Sequence, residues 1–187
     1  MKKILILLLL LILVASGCRS KAENKDSNTD KATDSQVKEN INKEADAAEK
    51  EKNKMAVDFE LESLDGTKIK LSELKGKNVI VNFWATWCGF CVVEMPDLQK
   101  LQDAYKDEDL IILAVNVGEA KDVVQKFVEE NKLNLTVLLD TDSKVANTYG
   151  LRSFPSTLAV NKKGEIVGGY VGMLTYEQME KLYSFFE

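Results

Sequence analysis

The chain has 187 residues, with 30 acidic and 25 basic side chains, a formal net charge of −5 and no histidine. This charge balance argues against nucleic acid as a partner, because a surface that neutralises phosphates needs clustered Lys and Arg. The absence of histidine excludes Cys-His and Ser-His-Asp nucleophile systems and His-ligated zinc. We expect neither a metal nor another cofactor.

The N-terminal segment has the order of a secretory signal. Lys2 and Lys3 precede an apolar run over residues 4–14, and small residues follow directly before Cys18. As a helix, this run would span only about half of a hydrocarbon core, so it does not predict a membrane span.

Small residues before Cys18 resemble the bacterial lipobox. We expect residues 1–17 to be a lipoprotein signal peptide and Cys18 to be acylated, which would anchor the protein at the extracytoplasmic face of the cell membrane. An ordinary cleaved signal with an incidental cysteine is the alternative.

The cysteine count agrees with acylation. The chain has three cysteines, and lipid on Cys18 leaves one pair, Cys88 and Cys91. No further cysteine is then available for a separate structural disulfide. The folded part of the chain, predicted over residues 55–187, must be stabilised by its hydrophobic core.

Residues 18–54 are predicted to form a tether between the anchor and the folded domain. From Arg19 to Lys54 the chain has no aromatic residue, glycine or proline, and its nine basic side chains balance nine acidic ones. Such a segment cannot bury enough apolar surface to offset its conformational entropy. A short coiled-coil partner helix, with a thin stripe of Val37 and Ile41, is the alternative.

The domain begins with a hairpin whose turn is predicted at Asp65-Gly66. Buried strands then alternate with amphipathic helices, and a second hairpin and a helix N-capped by Thr175 close the chain. The predicted strands are 79–84, 110–117, 135–139, 157–160 and 166–171, and the predicted helices are 88–105, 121–131, 143–149 and 175–186. This order predicts an α/β sandwich with a central mixed sheet.

Cys88 and Cys91 lie three residues apart, where the buried strand 79–84 gives way to the next helix. Thiolates attack disulfides, and a thiolate at the first turn of a helix is stabilised by unpaired N–H groups and the positive end of the helix dipole. We predict that Cys88, exposed at the helix N-terminus, is the nucleophile. Cys91, buried one turn later, would resolve the mixed disulfide. A stable structural disulfide and two inert core thiols are the alternatives.

The segments around this pair, FWATW at 83–87 and VVEMP at 92–96, resemble the extracytoplasmic thioredoxin-like proteins of the TlpA/ResA type, which are related to the AhpC/TSA proteins. The resemblance covers residues 57–186. It implies a thioredoxin-like sandwich, with a central mixed β-sheet flanked by helices, an N-terminal β-hairpin and a central αβ insertion. It also implies thiol–disulfide oxidoreductase activity through a redox-active Cys88–Cys91 disulfide.

The resemblance assigns roles to both prolines. Pro155 matches the loop proline that follows a cis peptide bond and packs beside the cysteines in thioredoxin folds; a plain turn proline is the alternative. Pro96 matches the proline that bends the active-site helix.

Three further residues have counterparts in the family. Asn82 stands where thioredoxins have a buried aspartate that relays a proton, which an amide cannot do. Glu94 matches a glutamate that tunes the redox pair, and we expect it to accept the Cys91 proton; a solvent-facing glutamate is the alternative. Trp87 is expected to shield Cys88 and to offer a contact surface, with simple packing as the alternative.

The expected function is thiol–disulfide exchange with client proteins by a membrane-anchored monomer. The preferred direction is reduction, with electrons from a CcdA-type membrane donor passing to clients such as methionine sulfoxide reductase or apocytochrome c. The intervening Gly89-Phe90 pair matches neither the Gly-Pro of strong reductants nor the Pro-His of strong oxidants. A disulfide-forming oxidase, a peroxiredoxin-like peroxidase and a non-enzymatic binding lipoprotein are the alternatives.

Overall fold

A computed structural model describes residues 54–186. The predicted signal peptide, Cys18 and most of the predicted tether lie outside the described residues, so those expectations stay predictions. The strands are β1 (Glu60–Ser63), β2 (Lys68–Lys70), β3 (Asn78–Trp84), β4 (Leu110–Val117), β5 (Thr136–Asp140), β6 (Ser156–Val160) and β7 (Ile166–Val171). The α-helices are α1 (Gly89–Ala104), α2 (Lys121–Glu130), α3 (Lys144–Thr148) and α4 (Tyr176–Tyr183), and 3₁₀ helices cover Leu71–Leu74 and Ser184–Phe186.

The described strands form one seven-stranded sheet in the order β2-β1-β5-β4-β3-β6-β7. The pairs β3–β4 and β4–β5 are parallel, whereas the other neighbouring pairs are antiparallel. The sheet is therefore mixed, and helices flank it. The prediction of a thioredoxin-like α/β sandwich is confirmed.

Strand β3 lies in the interior of the sheet: both of its edges are paired and all of its residues are buried. This explains its nearly continuous apolar sequence. Successive side chains of a strand point to opposite faces. Ile80 and Trp84 belong to the core cluster that contains Cys91, while Val81 and Phe83 belong to a second cluster. The cysteines thus join the core on one face of the sheet.

The N-terminal hairpin and the αβ insertion meet at one edge of the sheet. Strand β1 pairs antiparallel with β5, with Glu62 opposite Leu139. The two additions therefore extend the same side of the sheet, away from β3. The sequence predicted both elements but not their pairing, because strand order depends on contacts between distant segments.

The last helix starts where its sequence predicts and is shorter than expected. Thr175 and Gln178 form a capping box, in which the Thr175 hydroxyl accepts a hydrogen bond from the Gln178 amide. The α-helix ends at Tyr183, and a 3₁₀ turn replaces its last predicted turn. Between residues 54 and 186, no helix combines the length and the apolar character that crossing a membrane requires.

Candidate active site

The two cysteines lie at the N-terminus of α1. Cys88 is the N-cap residue, with an extended backbone, and its Sγ accepts a hydrogen bond from the Cys91 amide at 3.2 Å. A disulfide joins Cys88 to Cys91, with 5.2 Å between their Cα atoms. The structure thus brings the predicted redox pair together at the predicted end of the helix.

Both sulfur-bearing side chains are more buried than a helix N-terminus suggests. Cys88 is 7% exposed and Cys91 is 0% exposed, because both pack in the core cluster on that face of the sheet. The expectation of a well-exposed Cys88 is therefore corrected. Cys88 keeps the greater access to solvent, and the order of reactivity of the two thiols stays a prediction.

Glu119 holds the loop that leads from β3 to the cysteines. Its carboxylate accepts hydrogen bonds from the Thr86 amide at 2.7 Å, from the Thr86 hydroxyl at 2.5 Å and from Asn116 Nδ2 at 2.7 Å. The loop before Trp87 is therefore fixed to the end of β4. Sequence reasoning missed Glu119, although a carboxylate just beyond a buried parallel strand was an available signal.

The peptide bond between Phe154 and Pro155 is cis, as the family resemblance predicts. The ring of Phe154 contacts the ring of Trp87, with 6.3 Å between centroids and an interplanar angle of 68°. Ser156, the next residue after the proline, pairs with Phe83 near the end of β3. These contacts bring the proline loop to the segment that carries Cys88.

Glu94 is buried in α1, at 1% exposure, which excludes the solvent-facing alternative. Its Oε1 accepts a hydrogen bond from Asn82 Nδ2 and its Oε2 accepts one from the Leu174 amide, both at 2.6 Å. Burial raises the pKa of the Glu94 carboxyl to about 7, although both hydrogen bonds act in the opposite direction. Within residues 54–186, its hydrogen-bond partners are Asn82 and Leu174, not a cysteine. Proton transfer from Cys91 therefore stays a proposal.

Asn82 has a role that the sequence did not indicate. It is fully buried, and its Nδ2 donates to Thr157 Oγ1 at 3.0 Å as well as to Glu94. Its Oδ1 has no hydrogen-bond partner among the described residues. The amide does not relay a proton but orients the carboxyl group of Glu94. The sequence did offer a signal for this role: Asn82 lies two residues before Trp84 on β3, so both side chains point to the face of the sheet that carries the cysteines.

Exposed apolar side chains flank the two cysteines in the sequence. Trp87, Phe90 and Val93 are 70%, 68% and 64% exposed. The exposure of Trp87 fits a contact surface better than the packing alternative. Phe90 and Val93 were not predicted as surface residues. Their positions within and just after the cysteine motif could have indicated that they lie near the reacting sulfur atoms.

The arrangement supports exchange of two electrons between a dithiol and a disulfide. A nucleophilic thiolate at the helix N-cap and a buried second thiol one turn later are the parts which this chemistry requires. With the mixed sheet and the cis-proline loop, this site places the protein in the class of thioredoxin-like thiol–disulfide oxidoreductases.

Residues 53–168 match the AhpC/TSA family, and the chain belongs to this family. It is 41% identical to the thiol-disulfide oxidoreductase ResA of Halalkalibacterium halodurans over 126 residues, which cover 67% of this chain and 72% of that protein. The resemblance to proteins of the TlpA/ResA type is confirmed.

Solved structures agree with this assignment. StoA from Bacillus subtilis is 28% identical, with a TM-score of 0.61, and the match covers 68% of this chain and 96% of that one. The pneumococcal exposed lipoprotein thioredoxin Etrx1 from Streptococcus pneumoniae is 32% identical, with a TM-score of 0.58, covering 68% of this chain and 99% of that one. Both share the thioredoxin-like fold described above.

Proposed function

We propose that the protein is a lipid-anchored extracytoplasmic monomer that reduces disulfides in other exported proteins. One observation carries the direction of electron flow. A disulfide is strongly oxidising when the protein stabilises its reduced thiolate form. Here residues 89–93 carry no charged side chain, and the next residue, Glu94, disfavours a thiolate when it is ionised. In this segment no side-chain cation adds to the helix N-terminus in stabilising the thiolate, which favours a reductant over a strong oxidant.

The proposed reaction has two exchange steps. The Cys88 thiolate attacks a client disulfide, forms a mixed disulfide and releases one client thiolate. Cys91 then transfers its proton to Glu94, directly or through a water, and attacks the Cys88 sulfur, which releases the second client thiolate. Two electrons pass to the client and the Cys88–Cys91 disulfide remains. A membrane dithiol carrier of the CcdA type would reduce it again, and methionine sulfoxide reductase or apocytochrome c are client candidates.

The reduction potential of the Cys88–Cys91 couple tests the direction. We expect a value near that of thioredoxin, about −270 mV, from equilibration with glutathione or with a thioredoxin of known potential. A value near about −120 mV would assign the protein to the disulfide-forming oxidases instead. A Cys88→Ser variant, which cannot form the couple, provides the background signal.

Replacement of Cys18 tests the anchor. The relative Etrx1 is described as an exposed lipoprotein, and Cys18 follows small residues as in a lipobox. We expect Cys18→Ser to move the protein from the membrane fraction to the soluble fraction, while Cys88→Ser stays in the membrane. The intact mass of the extracted wild type should include the lipid. A mature protein that begins elsewhere and carries no lipid would contradict the proposal.

A further inference from the structure

We propose that a cleft beside Cys88 selects client segments that carry an aspartate or glutamate close to the reacting cysteine, and that Arg152 recognises this carboxylate. The inference rests on the proposed function, because it concerns the clients of the same site. The cleft, called here the Arg152 cleft, has a volume of about 300 Å³. Its lining includes Trp87, Ser143, Asn147, Arg152 and Phe154.

Two lining residues of the Arg152 cleft are chain neighbours of the redox site. Trp87 immediately precedes Cys88, and Phe154 immediately precedes the cis-proline, Pro155. Arg152 is three residues before Pro155, so its backbone lies within about 10 Å of the proline. A client cysteine bonded to Cys88 therefore brings its flanking residues to this cleft.

Arg152 is exposed and makes no ion pair or hydrogen bond through its guanidinium with residues 54–186. The acidic groups that flank the cleft in sequence already have partners. Glu119 binds Thr86 and Asn116, Asp140 accepts the amides at the start of α3, and Asp142 pairs with Lys144. The guanidinium is thus left for a carboxylate from outside, which it can bind through two parallel hydrogen bonds.

The other lining groups fit an extended peptide. Trp87 offers an exposed ring that contacts Phe154, which suits an apolar client side chain. The side chains of Ser143 and Asn147 make no hydrogen bonds with the described residues, so they can bind the client backbone. An apolar wall, free polar groups and one cation together match a peptide with an acidic residue near its cysteine.

Matched peptides test this selectivity. Three disulfide-linked peptides differ only in the residue two positions from the cysteine, which is Glu, Gln or Lys. The full chain, reduced beforehand and freed of reductant, is mixed with each peptide, and the initial rate of peptide reduction is measured at low salt. We expect the Glu peptide to react about threefold faster than the Gln peptide, the size typical of one exposed ion pair. About 0.5 M salt should reduce the difference.

Variants of Arg152 test whether this side chain causes the peptide preference. Arg152→Gln should abolish the difference between the Glu and Gln peptides, and Arg152→Glu should make the Lys peptide the fastest. Lys163→Gln is the control, because this exposed lysine lies in the β6–β7 turn, at the opposite end of β6 from Pro155.

Failure of this inference can be distinguished from failure of the proposed function. Equal reduction of all three peptides by the wild type would overturn the inference and leave the proposed function intact. An unchanged preference for the Glu peptide in Arg152→Gln would have the same consequence. No reduction of any peptide would contradict the proposed function itself.

Discussion

The Cys91→Ser variant should accumulate mixed disulfides between Cys88 and client proteins, and its turnover with a protein disulfide should fall at least about a hundredfold. Cys88 retains some solvent exposure, whereas Cys91 is fully buried behind it. Serine at position 91 cannot displace the client from the Cys88 sulfur, so the first exchange step occurs and the second does not. Non-reducing electrophoresis of extracts, followed by peptide mass analysis, identifies the linked cysteine.

The control for this trapping is Cys88→Ser, which should form no such complexes. Alkylation of the reduced wild type near neutral pH gives an independent check, since Cys88 should be modified before Cys91. Preferential labelling of Cys91, or client complexes through Cys91 in the Cys88→Ser variant, would reverse the assignment of the two thiols.

The Glu94→Gln variant should remove a pH dependence of stability that the wild type shows. Burial raises the pKa of the folded Glu94 carboxyl to about 7, from an ordinary value of 4.5. The folded protein therefore binds more protons than the unfolded chain between these values. The stability contribution is complete below about pH 4.5 and is lost as the pH rises through about 7. We expect the wild-type free energy of unfolding to fall by roughly 3 kcal/mol relative to Glu94→Gln across this range.

Urea unfolding of the oxidised protein at a series of pH values measures this difference. Glu73→Gln is the matched control, because Glu73 is exposed in the 3₁₀ turn Leu71–Leu74 and its replacement should leave the wild-type pH profile unchanged. Parallel profiles for wild type and Glu94→Gln would show that the buried carboxyl does not titrate between the folded and unfolded states as described.

The same variant has a second, kinetic readout. If Glu94 accepts the Cys91 proton, Glu94→Gln should slow release of the client from the mixed disulfide without unfolding the protein. It should also favour the thiolate form in a thiolate absorbance titration, because an ionised neighbour is removed. Identical titrations and release rates would assign proton transfer to water.

Features set by neighbouring residues could be read from the sequence. The apolar run of β3 requires a buried central strand, and Cys88 and Cys91 stand where the next helix begins. Thr175 and Gln178 form the capping box of α4 across three residues. Spacing alone predicts such elements, because their hydrogen bonds and side-chain periodicity are local.

The surroundings of the redox pair depended on tertiary structure. Asn82 and Leu174 contact Glu94 from 12 and 80 residues away along the chain, and Glu119 binds Thr86 from 33 residues away. These contacts follow from the order of strands in the sheet, which no local pattern encodes. The sequence by itself therefore determined the class of chemistry and the two cysteines that perform it. Packing decided the burial of Glu94, the hydrogen bonds from Glu119 that hold the loop before Trp87, and the place of Arg152, whose guanidinium has no partner within residues 54–186. Each of these depends on which distant segments become neighbours.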